Sequence, residues 1–487
     1  MRGGRPDRRR HGTMTAMPPG RPAATQISSL AVLLTLAVAA GLLALVAPAR
    51  ADGPTTRLGL AGAPAYAGSS TQLQADLADA AGAPIPGAAV LVERRVDGAW
   101  VALATLTTDG AGHATAPATL AKDPADNVFR ASYAGDGTNP PAASGEVPVG
   151  LRSRTSRLEL GGPTSVVDGR AVTLTVRWTA GNGEPVAGPV QVLRSLGGRA
   201  WRQVGSVRTG DDGRATYRTT PRVDSRWRVR AAALPWVEGA ASTVHRVDNL
   251  PPAEPVQLPG GAPRPRRALP PQPRATGDGA HVVVGRVPDG VWRRMSGVSW
   301  HAGCPVGRSG LRLVRVNYWD YSGYGRRGEL VAAASAAGPM GAVFAEMWQR
   351  HLPVRAMWRV DRFGWSARSH GGDDYASMAA GNTSAFNCRD VTGRPGVTSP
   401  HSYGRALDLN TWENPYRSAR GLVPNTWWQS RSHPRVAWRS RTHVVVRLLA
   451  RHGFRWTYGL GDTQHFDYVG SRARALAAPV PCRRYCD

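Results

Sequence analysis

An internal repeat in the first half of the chain constrains the fold more than any other feature. The motif PIPG at residues 84–87 corresponds to PVAG at residues 185–188, about 100 residues later. Segments of alternating apolar residues, such as 89–92 and 172–176, are separated by turns rich in Gly, Asp, Asn and Pro. Short alternating strands at this spacing are typical of antiparallel β-sandwiches. The repeat therefore predicts two β-sandwiches built from similar strands.

We assign these sandwiches to residues 55–150 and 155–248 and expect both to be immunoglobulin-like. The Tyr-Ala-Gly-Asp segment at residues 133–136 resembles bacterial surface immunoglobulin-like repeats. Neither copy contains a cluster of aromatic and polar residues that identifies a ligand. Their role as spacers or as binding modules therefore stays open.

Residues 249–280 are predicted to be a linker rich in proline and arginine. Nine prolines lie between residues 251 and 273. A segment of this composition is extended and semi-rigid, and it cannot form a core of its own. We expect the linker to hold residues 281–487 away from the two sandwiches.

The N-terminus, residues 1–51, has the pattern of a secretory signal peptide. Five arginines lie in the first ten residues, an apolar run covers residues 30–46, and a small-x-small cleavage site follows at 49–51. We expect an exported protein that is secreted or held at the cell envelope. An uncleaved anchor is the alternative, because about 17 residues is the lower limit for spanning a bilayer. In both cases only this segment would contact a membrane.

The net charge of +27 comes almost wholly from arginine, because Lys122 is the only lysine. A field this positive attracts polyanions. We therefore expect anionic cell-wall polymers as partners. We expect no nucleic acid, because the exported chain contains no recognisable nucleic-acid-binding module. The alternative is that the arginine content reflects genomic base composition.

The chain has four cysteines, Cys304, Cys388, Cys482 and Cys486. An even number of cysteines in an exported protein indicates disulfides. We expect the pairs Cys304–Cys388 and Cys482–Cys486, although sequence alone leaves the connectivity open. A structural zinc site built from all four thiolates is the alternative. It is disfavoured because the spacings lack paired Cys-x-x-Cys motifs.

Two short motifs near the C-terminus hold the components of a catalytic zinc site. His401 and Asp408 lie in the first motif, and Asp462 and His465 lie in the second. Such a site uses three protein ligands and leaves a position for a water whose pKa the metal lowers to about 7. His401, Asp408 and His465 can supply the ligands, and Asp462 is the candidate general acid/base. A non-haem iron(II) oxygenase also uses two histidines and one carboxylate, but its chemistry has no role for the acid-x-x-His pair.

The pattern Ser-x-His-x-x-Gly-x-Ala-x-Asp, followed later by acid-x-x-His, resembles the M15 family of zinc D-alanyl-D-alanine carboxypeptidases and peptidoglycan endopeptidases. Further segments resemble the VanY-like branch of this family in the same order, at residues 300–305, 328–330, 382–389 and 414–416. The resemblance covers residues 281–487 and implies an α+β zinc peptidase domain. The predicted protein is multidomain, with two all-β immunoglobulin-like sandwiches followed by an M15-type peptidase domain.

The resemblance also implies roles for individual residues. It gives three zinc ligands: His401, Asp408 and His465. Asp462 would activate water and protonate the departing amine, and Arg389 would stabilise an oxyanion or hold a substrate carboxylate. Ser384 and Ser399 would bind substrate through hydrogen bonds. For Arg389, a structural salt bridge is the alternative.

Three elements of this domain can be predicted from local patterns. Residues 311–318 alternate as a strand would. Pro339 is expected at the first position of a helix, where its missing N–H costs nothing. A second helix is expected over residues 442–451, with Gly453 just past its end.

We expect the chain to be a zinc metallopeptidase that hydrolyses peptidoglycan stem peptides. D-alanyl-D-alanine carboxypeptidase activity is favoured because the VanY-like branch resembles this region best. A peptidoglycan endopeptidase of the L-alanyl-D-glutamate type would use the same residues and stays open. A further alternative is a non-catalytic cell-surface adhesion or scaffold protein whose immunoglobulin-like modules carry the function.

Overall fold

The computed structural model describes residues 55–391, 394–482 and 486, and the described residues from 56 onward form one compact unit. The predicted signal peptide, residues 1–51, lies outside the described residues. β-Sheets dominate this unit, and its helices are few. In the described part of the chain, no helix is both long and apolar enough to cross a membrane.

The first copy of the repeat forms two antiparallel sheets around a shared core. Its strands are β1 (Arg57–Gly62), β2 (Ala65–Tyr66), β3 (Ser70–Ala78), β4 (Ala89–Val96), β5 (Ala99–Thr107), β6 (His113–Thr119), β7 (Val128–Tyr133), β8 (Ala142–Ala143), β9 (Val147–Pro148) and β10 (Leu151–Arg152). One sheet has the order β1-β3-β6 and the other β5-β4-β7-β8, with β9 also paired to β7. Leu73, Val90 and Phe129 meet between the sheets and are fully buried.

The second copy repeats this arrangement. Its strands are β11 (Ser156–Gly161), β12 (Ser165–Val167), β13 (Val172–Ala180), β14 (Gly188–Leu196), β15 (Arg202–Thr209), β16 (Arg214–Thr219), β17 (Ser225–Ala231), β18 (Ala240–Ala241) and β19 (His245–Leu250). The smaller sheet has the order β11-β13-β16, and the larger has the order β12-β19-β17-β14-β15 with β18 on β17. The edge strand β12 runs parallel to β19, unlike the antiparallel pairs of the first copy's two sheets. Trp178, Val190 and Trp227 fill the core between them.

The two copies agree in detail as well as in strand order. The pairs β4–β5 and β14–β15 carry a β-bulge at equivalent places. A buried threonine makes the equivalent hydrogen bond in each copy. Thr108 Oγ1 donates to the Ile85 carbonyl at 2.6 Å, and Thr209 Oγ1 donates to the Val186 carbonyl at 2.7 Å. The sequence repeat is thus a structural repeat of two facing sheets. The immunoglobulin-like identity of the copies stays a prediction.

The proline-rich stretch does not separate the catalytic region from the second sandwich. Residues 251–280 contain no helix or strand, but their polar groups bond to both neighbours. Gln272 Nε2 donates to the Met357 carbonyl at 2.7 Å, and Arg274 Nη1 lies 2.9 Å from Asp168 Oδ2. The expected spacer role is therefore wrong. An extended chain satisfies few of its own polar groups, so this segment packs along surfaces that can.

The C-terminal region mixes helices with small sheets. Its helices are α1 (Asp289–Met295), α2 (Ala334–Gln349), α3 (Asp374–Ala379), α4 (Val444–Arg451) and α5 (Arg472–Ala475). Its strands are β20 (Val283–Arg286), β21 (Leu311–Trp319), β22 (Gly325–Ala333), β23 (Trp365–Ser366), β24 (Gly371–Gly372), β25 (Asp390–Val391), β26 (Arg394–Thr398), β27 (Ala406–Asp408), β28 (Tyr416–Ser418), β29 (Gly421–Val423), β30 (Phe454–Arg455) and β31 (His465–Tyr468). The two three-stranded sheets are β20-β21-β22 and β27-β31-β30.

One core joins these two sheets to α2 and α4. Phe344 of α2, Leu407 of β27 and Phe466 of β31 are fully buried in it. Leu407 precedes Asp408, and Phe466 lies between His465 and Asp467, so burial of the two apolar residues directs these polar neighbours to the opposite face. The core therefore fixes both strands that carry the second and third predicted metal ligands.

The predicted strand at 311–318 is confirmed as β21, and the predicted helix at 442–451 is confirmed as α4. Gly453 follows α4 with a φ of 80°. The prediction for Pro339 is wrong, because this residue lies inside α2 rather than at its start. Ala336 and Ala337 before it are fully buried, and their packing extends the helix by a turn at the expense of one backbone hydrogen bond.

Both predicted disulfides are present, which excludes the four-thiolate zinc site. Cys304 and Cys388 are bonded with their Cα atoms 5.9 Å apart, and Cys482 and Cys486 are bonded with a Cα separation of 5.1 Å. The first bond joins segments 84 residues apart. It fixes the residue directly before Arg389.

Candidate metal centre

Backbone pairing brings Asp408 and His465 together. Asp408 ends β27, His465 begins β31, and the two are register partners in the antiparallel pair. Ser384 holds Asp408 from the other side, because each backbone N–H donates to the other residue's carbonyl, at 3.0 and 2.8 Å. The carboxylate thus projects from a backbone that is bonded on both edges.

A tight turn delivers His401 to the same place. Residues Pro400–Tyr403 form a 3₁₀ turn, and the Ser399 hydroxyl at its start accepts a hydrogen bond from the His401 N–H at 3.4 Å. Gly404 ends the turn with a φ of 67°, in the left-handed region. A Cβ on Gly404 would lie 2.6 Å from the Ala333 nitrogen, so only glycine permits this close approach of the turn to β22.

The three predicted ligands form a compact triangle. His401 Nε2 lies 3.2 Å from Asp408 Oδ2 and 3.2 Å from His465 Nδ1, and His465 Nδ1 lies 3.2 Å from Asp408 Oδ1. Zinc binds nitrogen and oxygen ligands at about 2.0–2.2 Å in a tetrahedral arrangement, which separates neighbouring ligand atoms by about 3.4 Å. The donor set and its spacing therefore fit a zinc ion.

The outer nitrogen of each histidine meets an oxygen. His401 Nδ1 lies 2.6 Å from the Ala385 carbonyl, and His465 Nε2 lies 3.2 Å from Asp467 Oδ1. Such acceptors fix the tautomer that leaves the inner nitrogen free to bind a metal. Sequence analysis missed Asp467. The signal was available, because residues two apart on a strand lie on the same side and Asp467 follows His465 by two.

Burial and the neighbouring charges have opposite effects on the pKa values of the three candidate ligands. Burial alone would lower the pKa of both histidines, but Asp408 beside His401 and Asp467 beside His465 raise each pKa above its ordinary value. Burial would raise the pKa of Asp408, but the two histidines hold it well below its usual range. A metal cation would compete with protons for these ligand atoms, because metal ligands bind in their deprotonated forms.

Burial, which lowers the pKa of His401, and Asp408, which raises it, have the largest effects on this histidine, and the positive charge of Arg389 acts against the net rise. The Arg389 side chain is 4% exposed, and Nη2 donates to Asp374 Oδ2 at 3.1 Å. Its backbone N–H donates to Ser402 Oγ at 3.1 Å. The salt bridge considered as the alternative for Arg389 is thus present. Asp374 was missed because no spacing pattern links the start of α3 to Arg389.

Asp462 lies in the segment that leads into β31. It follows the 3₁₀ turn Gly459–Gly461 and is 2% exposed. A backbone bridge pairs it with Tyr416 of β28. A cleft of about 730 Å³, lined by Trp456, Tyr458 and Leu460 among others, borders this turn. The Tyr458 ring also lies 5.3 Å from the His465 ring, so one side chain borders both the cleft and the metal-ligand cluster.

All the predicted site residues are buried, with at most 4% of their surface exposed: Ser384, Arg389, Ser399, His401, Asp408, Asp462 and His465. The ligand atoms of His401, Asp408 and His465 converge on one another. The observed contacts of Ser384 and Ser399 support Asp408 and His401 rather than face a substrate. Their predicted substrate contacts stay predictions.

Comparison with known proteins bears on the same segment. Residues 392–468 match the M15 peptidase family model described as D-alanyl-D-alanine carboxypeptidase. The match supports an M15-type peptidase domain. The matched segment contains all three ligands of the triangle and Asp462. M15 peptidases are typically zinc-dependent, in agreement with the donor set. No curated protein matches the chain.

Two solved structures are similar to the chain at low scores. One is a tetra-tandem repeat in the extending region of a large adhesion protein, with 10% identity, a TM-score of 0.30, and coverage of 58% of this chain and 64% of that one. The other is native E. coli alpha-2-macroglobulin, with 10% identity, a TM-score of 0.19, and coverage of 58% and 20%. The chain thus spans less than two thirds of either structure, and neither likeness carries an argument about function.

Proposed function

We propose that the C-terminal region is a zinc peptidase that hydrolyses peptidoglycan stem peptides. The observation that carries this proposal is the triangle of His401, Asp408 and His465 inside the segment that matches the M15 family. Two neutral histidines, one carboxylate and an additional buried acid are the components of metal-assisted hydrolysis. The non-catalytic scaffold alternative gives no reason for three ligand atoms to converge.

His401, Asp408 and His465 would hold the ion. Zinc in such a site supplies Lewis acidity, which activates water and polarises a carbonyl group. Asp462 accepts the proton that water loses and returns it to the amine of the departing residue. Arg389 places a positive charge near the developing negative charge on the scissile carbonyl oxygen. No nucleophilic side chain is required, because water attacks directly.

We favour removal of a terminal D-alanine over cleavage inside the stem. The family model that matches is the one described as D-alanyl-D-alanine carboxypeptidase. A carboxypeptidase needs a cation for the free carboxylate of its substrate, and the buried Arg389 is the candidate for that role as the alternative to stabilising the oxyanion. An L-alanyl-D-glutamate endopeptidase would use the same ligands and Asp462, so the products decide between the two.

We place this activity outside the cytoplasm, secreted or at the cell envelope. The signal-peptide pattern at residues 1–51 supports export. Two disulfides support it as well, because such bonds persist in oxidising compartments. The partners would be peptidoglycan and anionic cell-wall polymers, to which a net charge of +27 is complementary.

The test is mass spectrometry of defined muropeptides incubated with the full chain, with zinc added or removed by a chelator. Loss of one alanine from pentapeptide stems is the expected result. An internal stem cut would establish the endopeptidase instead. Absence of any product from a folded protein with stoichiometric zinc would overturn the proposal.

Asp462→Asn separates catalysis from metal binding. The amide has the shape of the carboxylate but cannot accept the proton, so the rate should fall by about 100-fold or more, while zinc content measured by atomic absorption stays at one ion per chain. His465→Ala should lose both zinc and activity. Unchanged activity in Asp462→Asn would show that another group transfers the proton.

A further inference from the structure

The two copies of the sandwich differ sharply in charge. Residues 55–150 contain five basic and nine acidic residues, whereas residues 155–248 contain fourteen basic and eight acidic residues. The same architecture therefore has a net charge of −4 in the first copy and +6 in the second. Genomic base composition would affect the arginine content of both copies equally. It therefore does not account for the difference in net charge between them.

Much of this charge lies on the outer face of the larger sheet in the second copy. Along β17, buried residues alternate with Arg226, Arg228 and Arg230, which all point outward. Alternate residues on a strand are about 6.8 Å apart, so the strand displays three evenly spaced guanidinium groups. Arg246 of β19 is the register partner of Arg226 and widens the row by one strand. We call these four residues the arginine row.

The row is not neutralised from within. Among the described residues, no ion pair joins any of its four arginines to a carboxylate. Arg228 lies over the Trp201 ring, with Cζ 5.0 Å from the ring centroid, in a cation–π contact. Like charges on opposed residues of neighbouring strands are destabilising, as at Arg226 and Arg246. A bound anion would relieve this repulsion.

The first copy provides an internal comparison. Arg130 on β7 is equivalent to Arg228 and stacks on Trp100 at 4.3 Å. Its register partner is Glu93, which it meets in an ion pair at 2.7 Å. In the second copy Leu193 stands opposite Arg228 in place of that glutamate. The stacked arginine is common to both copies, but only the second leaves it without a counter-charge.

The equivalent flanking positions also differ. Val128 and Ser132 flank Arg130 in the first copy, where the second copy has Arg226 and Arg230 around Arg228. One copy thus presents a single neutralised arginine, and the other presents a continuous basic strand.

Other charges nearby define the limits of the row. Asp224 and Asp248 are exposed at the end of the arginine row next to Arg226 and Arg246. Their negative charge limits the row on that side, so a bound anion would run from Arg226 towards Arg230. The outer face of the smaller sheet also has exposed arginines, including Arg177 and Arg214. There Glu159 is the register partner of Arg177 and also pairs with a neighbouring arginine at 2.8 Å, so that face is interrupted by negative charge.

We propose that the arginine row binds a linear phosphodiester polymer of the cell wall. Evenly spaced guanidinium groups along a strand complement a chain with one phosphate per repeat. Arginine binds phosphate oxygens through a planar fork of donors. A phosphodiester also stays ionised at every physiological pH, so the attraction does not depend on wall acidity. The proposal shares with the proposed function only the expectation of export, and it does not depend on peptidase activity.

Binding at this face would place the peptidase at the wall. The second sandwich is joined to the C-terminal region through Asp168, which lies 2.9 Å from Arg274 Nη1, and through Asn249, whose carbonyl accepts a 2.5 Å hydrogen bond from the Tyr324 hydroxyl. A polymer bound along β17 would therefore hold the metal centre at a defined distance from the wall surface.

The test measures binding of the full chain to purified poly(glycerol phosphate) over a range of salt concentrations. One variant combines Arg226→Thr, Arg230→Thr and Arg246→Thr, because threonine suits an exposed strand. The matched control combines Arg177→Thr, Arg214→Thr and Arg218→Thr, which removes the same charge from exposed strand positions on the opposite sheet. Polygalacturonate, a carboxylate polymer, is the second ligand.

The row variant should bind poly(glycerol phosphate) at least about tenfold more weakly, with a salt dependence reduced by roughly two to three phosphate contacts. The control should change affinity by less than about threefold. Equal losses in the two variants would show attraction to net charge alone and overturn the assignment. Tighter binding of wild type to polygalacturonate would overturn the phosphodiester. Muropeptide hydrolysis, measured in parallel, should be unchanged in both variants.

Discussion

Asp408 Oδ1 lies 3.2 Å from His465 Nδ1, and the two residues are register partners on β27 and β31. The separation of these two candidate ligands is therefore set by a backbone hydrogen-bond ladder. Ligands on paired strands are positioned more rigidly than ligands on loops. The third, His401, comes from a short capped turn whose glycine packs against β22. The backbone thus sets the relative positions of all three candidate ligands.

Asp467→Asn is expected to weaken zinc binding by roughly 10–100-fold. The carboxylate lies 3.2 Å from His465 Nε2, orients the ring, and raises the pKa of His465. The amide keeps the shape but removes the charge that makes the imidazole a stronger ligand. Competition with a chelator of known affinity measures the change, with Asp248→Asn as a remote control. Equal zinc affinity in both variants would contradict a role for Asp467.

Gly404→Ala is expected to destabilise the protein by about 2–3 kcal/mol. A left-handed alanine costs about 1 kcal/mol, and the new Cβ would lie 2.6 Å from the Ala333 nitrogen. Gly470→Ala is the control, because Gly470 also has a positive φ, 82°, but a Cβ there meets no heavy atom within 4 Å. Urea denaturation compares the two variants. If Gly404→Ala lowers the free energy of unfolding by no more than Gly470→Ala does, β22 moves to accommodate the new Cβ.

The cluster of candidate metal ligands could be predicted from local sequence because each motif carries its own geometry. Ser399 and Gly404 begin and end the turn around His401, and alternation around Asp408 predicts the strand that presents it. What local patterns could not supply is the pairing of β27 with β31. That pairing depends on Leu407 and Phe466 sharing a core with distant helices, which is a property of tertiary packing.

The errors arose where tertiary contacts override local preference. Proline rarely occurs inside a helix. Buried alanines before Pro339 nevertheless extend α2 towards the N-terminus, so that the proline lies inside the helix. A proline-rich linker is extended in isolation, yet Gln272 and Arg274 fix this one to its neighbours. Asp374 was missed for a related reason. Its ion pair with Arg389 joins residues that no periodic pattern connects.

The two disulfides are expected to contribute unequally to stability. Cys304–Cys388 closes a separation of 84 residues and Cys482–Cys486 a separation of four. In the chain-entropy account, loops of these lengths contribute about 4–5 and about 2 kcal/mol. Replacement of each pair by alanine, followed by urea denaturation, tests the difference. A larger loss from the Cys482–Cys486 pair would show that local packing outweighs loop closure.

Glu329→Gln is expected to destabilise the protein by about 1–3 kcal/mol at pH 7, and the difference should shrink in acid. Glu329 joins Arg315, at 2.9 Å, to the buried Arg359. Burial raises the pKa of Glu329, but the two arginines outweigh it and hold the pKa below 4.5. A carboxyl with a lowered pKa stabilises the fold above its unfolded pKa, and this contribution is lost as pH falls through the folded value. In urea denaturation at pH 7, 4.5 and 3.5, the free energy of unfolding of the wild type should therefore approach that of the variant as the pH falls. Glu238→Gln, which changes an exposed carboxylate, is the control. A difference in free energy of unfolding between wild type and Glu329→Gln that stays constant with pH would contradict the ion-pair explanation.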